Sequence, residues 1–378
     1  MNDMKEKTKI VAMYLPQFHE IPENNLFWGE GFTDWISVRQ AEPLFEGHIQ
    51  PKEPLNDNYY DLSNAEILKW QAGLARKFGV YGFCFYHYWF ENSKPVLERP
   101  AHNLLMHKEI DLPFCFAWDN TSWVRTWSKF DGNAWAPKYE PRSMKGRLGQ
   151  EYLLKLDYGG EREWIEHFNF LLPYFKDERY IKKEGKPVFI FFTSNNEPEC
   201  ITRIADCWRN LARLNGFPGL YLITGRSTFI RKKILDAEFT YQPIKSGWQK
   251  ARVIRRELER VLRVKLPEKR PACYDYDRVW KRILLDAYIH RKENLFFGGF
   301  VNYDDTPRRG QDGKIIINSQ YEKFEKYLRK LCRICRENHK EYLFLTAWNE
   351  WGEGAYLEPD KNNGYNYLEA LKKVVFEE

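Results

Sequence analysis

Apolar positions along the chain follow two alternating patterns. Eight short runs, at 10–15, 80–86, 114–118, 188–193, 220–224, 239–242, 296–301 and 342–347, are almost continuously apolar, β-branched or aromatic. Runs of that kind are expected for strands buried on both faces of a parallel sheet. Between them, apolar residues recur at helical spacing over 64–78, 161–175, 198–215, 278–292, 320–338 and 365–375. Ser63-Asn64 and Gly216 supply start and stop signals around two of these helices. Eight strands alternating with helices predict an α/β fold, a single (β/α)8 TIM barrel spanning 1–378. The rival, a doubly wound sheet, lacks its usual G-x-G-x-x-G after any strand. The gaps are uneven, with long insertions near 16–63, 119–160 and 243–277. All three leave C-terminal strand ends, where a barrel builds its catalytic face.

Composition narrows the picture. With 43% apolar and 17% aromatic residues the chain is not disordered, and no apolar run approaches the ~18 residues of a membrane span. A formal charge of +6 is too weak for a dedicated nucleic-acid binder. That charge has an address: 250–270 carries nine Lys or Arg against three Glu. Val253, Ile254, Leu258, Val261 and Leu262 make the segment an amphipathic helix after strand six. It reads either as a solvated helix beside the cleft or as a contact for an anionic glycan, a lipid-linked pyrophosphate or an anionic membrane surface. Residues 1–9 have no apolar leader core, and seven cysteines show no framework spacing. The expected address is therefore cytoplasmic, with a peripheral seat at the inner membrane through 250–270. Cys332 and Cys335 form a CxxC near His339, but on a helix they simply share one face. No metal and no cofactor is expected.

The chemistry should gather just past the strand ends. Reading these positions gives Gln17 and His19, His87 and Tyr88, Trp118 to Asn120, Ser194 and Asn195, Arg226, Gln242, Tyr303 to Asp305, and Asn349 to Glu353. Aromatic faces stack on the C–H faces of pyranose rings, and amides and carboxylates bond their hydroxyls, so the mixture suits an oligo- or polysaccharide. The sharpest constellation is Trp348-Asn349-Glu350-Trp351-Gly352-Glu353-Gly354. Glycosidic cleavage generally needs two carboxyl groups, ~5–5.5 Å apart for retention or ~6.5–9.5 Å for inversion. Gly352 and Gly354 argue for a turn, so spacing alone does not fix the separation; the bland alternative is a Glu capping a following helix. Asp275-x-Asp277 is a rival signal for a divalent ion holding a nucleotide sugar, with Asp277 as a helix N-cap the plainer reading.

At these residues the chain resembles a known family. Tyr14-Leu15-Pro16-Gln17-Phe18-His19, Trp28-Gly29, Gly31-Phe32-Thr33-Asp34-Trp35, Gly47-His48 and Gln50-Pro51 are similar to the opening of the WbsX-like family. So are the run Gly82 to Phe90, Gly185-Lys186-Pro187, and the stretch from Ala347 to Pro359. That family is often labelled glycosyltransferase but is similar to glycoside hydrolase family 99, the endo-α-mannosidases. The resemblance covers about residues 9 to 372 and implies a (β/α)8 barrel. Trp28 and Trp35, which lie in these motifs, join Gln17, His19, His87, Tyr88, Trp118, Asn120, Tyr303, Asp304, Asn349 and Trp351 as substrate-binding candidates.

The resemblance also implies a mechanism. The family's E-W-x-E motif maps its two catalytic carboxylates onto Glu350 and Glu353. Glu350 would deprotonate the 2-hydroxyl of the sugar, which attacks its own anomeric carbon to form a 1,2-anhydro sugar. Glu353 would protonate the leaving oxygen and then deprotonate the incoming water or hydroxyl. A 2-hydroxyl trans to the leaving group, as in an α-mannoside, is required. Two departures stand out: relatives usually read W-A-N-E where this chain has Trp118-Asp119-Asn120-Thr121, and W-D-N-T-P-R becomes Tyr303-Asp304-Asp305-Thr306-Pro307-Arg308.

Three readings follow. The first is a retaining enzyme that cleaves or transglycosylates an α-linked glycan in cell-surface polysaccharide metabolism. The second is a nucleotide-sugar glycosyltransferase of polysaccharide or O-antigen synthesis. The third is a non-catalytic glycan-binding barrel. The strand order and the intact E-W-x-E favour the first, and the absence of a phosphate-cradling loop weighs against the second.

Overall fold

The computed structural model describes residues 7–124, 152–193, 197–225, 235–248, 260–262 and 271–377. Eight parallel strands close on themselves: β1 (Lys9–Tyr14), β2 (Gly82–Phe90), β3 (Phe114–Trp118), β4 (Lys186–Phe191), β5 (Tyr221–Thr224), β6 (Ala237–Phe239), β7 (Leu295–Phe300) and β8 (Tyr342–Thr346). Closure is made by β1, which pairs with β2 through Val11↔Gly82 and with β8 through Lys9↔Tyr342. This is the predicted (β/α)8 barrel, and every predicted strand is present. β6 is the most displaced, running over Ala237–Phe239 rather than into Gln242, whose amide instead holds Ser246 of a short helix.

The helices pack outside: α1 (Ala65–Phe78), α2 (Arg99–Met106), α3 (Glu161–Lys176), α4 (Pro198–Leu214), α5 (Tyr276–Ile289), α6 (Tyr321–Glu337) and α7 (Asn366–Phe376). Asn64 caps α1 by accepting from the Glu66 amide at 3.0 Å, as the start signal anticipates. α5 starts two residues earlier than its periodicity suggests, because Asp275 rather than Asp277 is the cap, accepting from the Arg278 amide at 3.0 Å. Asp277 is engaged by Lys323 and Tyr327, so the two acids of the D-x-D serve α5 and its neighbour α6. α2 has no counterpart in the sequence reading; it is eight residues long with Pro100 in its first turn, too short to show a clear period. Cys332 and Cys335 are buried on the inner face of α6 and His339 is exposed.

The long connections form on the predicted side. The first carries short helices at Pro22–Trp28 and Asp34–Arg39, and the one after β7 carries Thr306–Arg309. Ser194, Asn195, Arg226 and nearly all of 250–270 lie outside the described residues. Of the latter, Arg260 to Leu262 are described and exposed. No helix among the described residues is long and apolar enough to cross a membrane.

Candidate active site

The connection after β8 is fixed by backbone-like contacts before it offers any chemistry. Asn349 continues the β1–β8 seam with its side chain: its Oδ1 accepts from the Leu15 amide at 2.7 Å and its Nδ2 donates to the Leu15 carbonyl at 2.9 Å. Asn349–Glu350 then pairs antiparallel with Ala355–Tyr356 around a 3-10 turn at Trp351–Glu353. The reversal carries Glu350, just before the turn, and Glu353, its last residue, to one guanidinium, that of Arg308. Trp351 anchors the turn from behind, stacked on Tyr356 at 3.8 Å and donating its indole N–H to Glu358 at 2.7 Å. Glu350 precedes the turn without capping it.

Arg308 joins the two acids. Its Nη1 donates to Glu353 at 3.1 Å, and its Nη2 lies 3.6 Å from Glu350 Oε2. The same guanidinium grips Asp34 with two donors, Nη2 at 2.8 Å and Nε at 3.3 Å. Asp34 is itself placed by its amide, which donates to the Gln17 carbonyl. Three connections, after β1, β7 and β8, thus meet at one cation. Gly352 is required there: a Cβ would fall 2.5 Å from Asp34 Oδ2 and 2.6 Å from Arg308 Nε. Gly354 closes the turn in the left-handed region with φ of 57°.

The acids differ in surroundings. Glu350 is 4% exposed, and its Oε2 accepts no hydrogen bond among the described residues. Burial first, and then the charge of Glu353, push its carboxyl well above the usual carboxylate range. Arg308 opposes that rise, while Asp34 and Asp119 add to it. Glu353 is more open, with a side chain 21% exposed. Phenols surround the pair. Tyr86 and Tyr241 share a 2.7 Å hydrogen bond, and burial leads the forces holding Tyr86, Tyr88 and Tyr303 protonated. Asp119 adds to that effect on Tyr88 and accepts from Thr121 at 2.8 Å.

The predicted residues divide cleanly. Glu350, Glu353, Tyr88 and Tyr303 come together at the mouth, Tyr303 donating to Asp305 at 3.1 Å. Asn349 and Trp351 hold the turn. Asp304 supports it from below: its amide donates to the Glu353 carbonyl, and its buried carboxylate accepts from Gln50 and Thr306 and pairs with His48 at 2.9 Å.

Others are placed elsewhere. His87 points away from the barrel axis, its Nε2 2.7 Å from that of His167 on α3, with burial pushing its ring down to about 3. Trp118, in register with His87, likewise packs outward on His167 and Trp208. Asn120 ties the end of β3 to that of β4 by exchanging hydrogen bonds with Thr193. His19 is buried, its ring lowered by burial, in the field of Asp61 and Arg99. Trp35 sits in an aromatic stack and donates to the Tyr60 carbonyl at 2.8 Å, Trp28 packs on Phe32, and Gln17 contributes its carbonyl to Asp34.

Sequence reasoning passed over Arg308, Asp34, Tyr86 and Glu358; the last three lie in the motifs that carry the family resemblance, and Arg308 ends the Tyr303–Arg308 stretch that departs from it. Glu358 accepts from Tyr60, Gln71 and Trp351, each at 2.7 Å, and burial raises it to about 7. Among the described residues no three His, Cys, Asp or Glu side chains are grouped as a metal site.

Comparison with known proteins agrees with this architecture. The profile of the family described as "Glycosyltransferase WbsX" matches residues 10–371. An uncharacterized protein WxcX of Xanthomonas campestris pv. campestris strain B100 is 31% identical over 377 residues, covering 97% of this chain. The chain spans about half of that relative, 49% of its length. Among solved structures, a GH99 endo-alpha-mannosidase from Bacteroides thetaiotaomicron superposes with a TM-score of 0.56 at 16% identity, over 97% of this chain and 96% of that one. A glycoside hydrolase-like protein gives 0.59 at 13% identity, over 99% and 96%. At those identities the likeness speaks for the fold.

Proposed function

Since the chain belongs to the WbsX family of carbohydrate-active enzymes, we propose that it cleaves or transglycosylates an α-linked, mannoside-like glycan of cell-surface polysaccharide with retention. The observation that carries this is the gathering of Glu350 and Glu353 on one guanidinium at the C-terminal mouth of the barrel. In this reading Glu350, as carboxylate, takes the proton of the sugar's 2-hydroxyl. The resulting oxygen attacks the anomeric carbon from the face opposite the leaving group. Glu353 gives its proton to the departing glycosidic oxygen, and a 1,2-anhydro sugar forms. Glu353 then removes a proton from water or an acceptor hydroxyl, which opens the three-membered ring and restores the original anomeric configuration, while Glu350 returns its proton to the 2-oxygen.

Two features support it. Glu350 and Glu353 sit in unlike surroundings, one buried and one open to solvent, as two carboxyl groups with different roles require. The described mouth also sets the buried rings of Tyr86, Tyr88 and Tyr303 beside the acids, a mixture of aromatic faces and carboxyl groups that suits a sugar ring. The family description favours a second reading, transfer from a nucleotide sugar. A panel of α-mannosides incubated with and without GDP-mannose and followed by NMR separates the two. The first reading expects turnover of the glycoside alone, giving an α-configured product. Turnover that depends on the nucleotide sugar would replace it with the second, and binding without turnover would leave a glycan-binding barrel.

A further inference from the structure

We propose that Arg308, clamped by Asp34, is a positioning residue that keeps the two mouth carboxylates unequal, hydrogen-bonding Glu353 and leaving Glu350 within its field but unbonded. The inference rests on the reading above only in taking the two acids as partners at one reacting centre; the device itself is built from the protein's own side chains.

The donors of the guanidinium show how it works. Asp34 occupies Nε and one position on Nη2, in the fork-on-fork arrangement that fixes the plane of an arginine. Nη1 is then aimed at Glu353 at 3.1 Å. What remains for Glu350 is an approach of 3.6 Å from Nη2, beyond hydrogen-bonding reach. The plane cannot turn to improve that approach without releasing Asp34, and Gly352 packs directly against both groups.

The consequence is electrostatic. Glu350 faces Glu353, Asp34 and Asp119 as acids, Arg308 as the cation acting on it, and the phenols of Tyr86 and Tyr88. Arg308 pulls the Glu350 carboxyl down against burial and these acids, so loss of the guanidinium should raise it further. The clamp gives Glu350 the field of the cation without its hydrogen bond, and gives Glu353 the hydrogen bond itself. The same clamp gives Glu353 a fixed orientation while leaving it open to solvent.

The test reads Glu350 directly and needs no glycan. Protein labelled with 13C at the glutamate side-chain carboxyl is titrated by NMR, with the Glu350 resonance identified by its loss in Glu350→Gln. Arg308→Gln should move the Glu350 midpoint upward by about one pH unit or more, the scale of a lost close cation. Arg308→Lys should recover part of that shift, since a lysine keeps the charge but cannot grip Asp34 with two donors. Asp34→Asn removes an acid that raises Glu350 and also frees the guanidinium to turn toward it, so its downward shift should exceed that of the same substitution made in Arg308→Lys, where there is no fork to turn. Far-UV circular dichroism and thermal melts verify each fold; should Arg308→Gln not fold, the opposed shifts of Arg308→Lys and Asp34→Asn decide the matter. A Glu350 midpoint unchanged in the folded variants would overturn the proposal, whether or not a glycan is ever turned over. If the midpoint shifts as expected but no glycoside is processed, the proposed function fails and this inference stands.

Discussion

Two adjacent residues of β2 open opposite sides of the barrel wall. Tyr88 faces the mouth, within the field of Glu350, Arg308 and Asp119. His87 faces the helices, in a layer with His167, Trp89, Phe170, Trp118 one strand over, and Trp208 of α4. Both layers are buried and both shift the titration of their members, but the causes differ. His87 is lowered by burial alone, beside another neutral imidazole. Glu350 is shifted by burial together with three acids and opposed by a cation. A perturbed group marks candidate chemistry when specific charges share the work; burial alone marks packing.

That contrast can be broken by substitution, and the mouth should give the largest effects. Glu350→Gln and Glu353→Gln should each lower kcat/KM on an α-linked glycan by about 10³-fold or more, within the range for losing a general acid or base, with melting temperatures close to the parent. Loss of activity through unfolding, or retained activity in both, would dissolve the distinction between the layers. Tyr88→Phe removes one hydroxyl from the mouth and should cost activity about tenfold, less than either acid, measured by the same kinetics.

In the outer layer the effect should be on stability. Because burial depresses His87 to about 3 and lowers His167 too, the unfolded chain binds protons that the native state refuses. The contribution of His87 is complete above an unfolded pKa near 6.5 and is lost as pH falls from there toward 3, and His167 acts in the same direction. His87→Phe should weaken that acid dependence of the melting temperature while changing kcat/KM by less than about threefold, as expected of a site remote from the chemistry. A kinetic loss matching that of Tyr88→Phe would place His87 back at the mouth.

Glu358 lies between the two cases: buried and held by three donors, yet one hydrogen bond from the turn that carries the acids. Its raised value of about 7 means that the folded state holds the proton more tightly than the unfolded chain. Its contribution is therefore full below about 4.3 and declines as pH rises through about 7. Glu358→Gln should flatten this slope in melts recorded from about pH 4 to 8, the smallest of these effects in kinetic terms.

Much of this arrangement is legible in the chain. The barrel can be read because strands buried on both faces leave nearly unbroken apolar runs; β6 is the exception, with Glu238 at its centre, and it is the strand most displaced from its run. α2 cannot be read, since eight residues span barely two turns. At the mouth, the Glu350–Glu353 pair is legible from residue type and from the glycines that make its turn. Selecting both His87 and Tyr88 overlooks the two-residue period of a strand, which sends neighbours to opposite faces; the same parity would have chosen Tyr86. Asp34 stands in the motifs and Arg308 ends the stretch that departs from them, but their contact spans 274 residues, and no local pattern announces a pairing made only when the barrel closes. Asn120 and Asn349 are strand-end amides as expected, yet both bond backbone and tie neighbouring strand ends together rather than facing a sugar.

The central claim is that Glu350 and Glu353 act on one glycosidic bond in different roles, and leaving-group dependence tests it most directly. With an α-mannosyl fluoride, whose departing fluoride needs little protonation, Glu353→Gln should regain much of its bond-cleavage rate relative to an alkyl α-mannoside, seen as fluoride release. Glu350→Gln should remain inactive on both, because the 2-hydroxyl still lacks its base. Equal rescue of the two variants, or rescue of Glu350→Gln alone, would contradict the account.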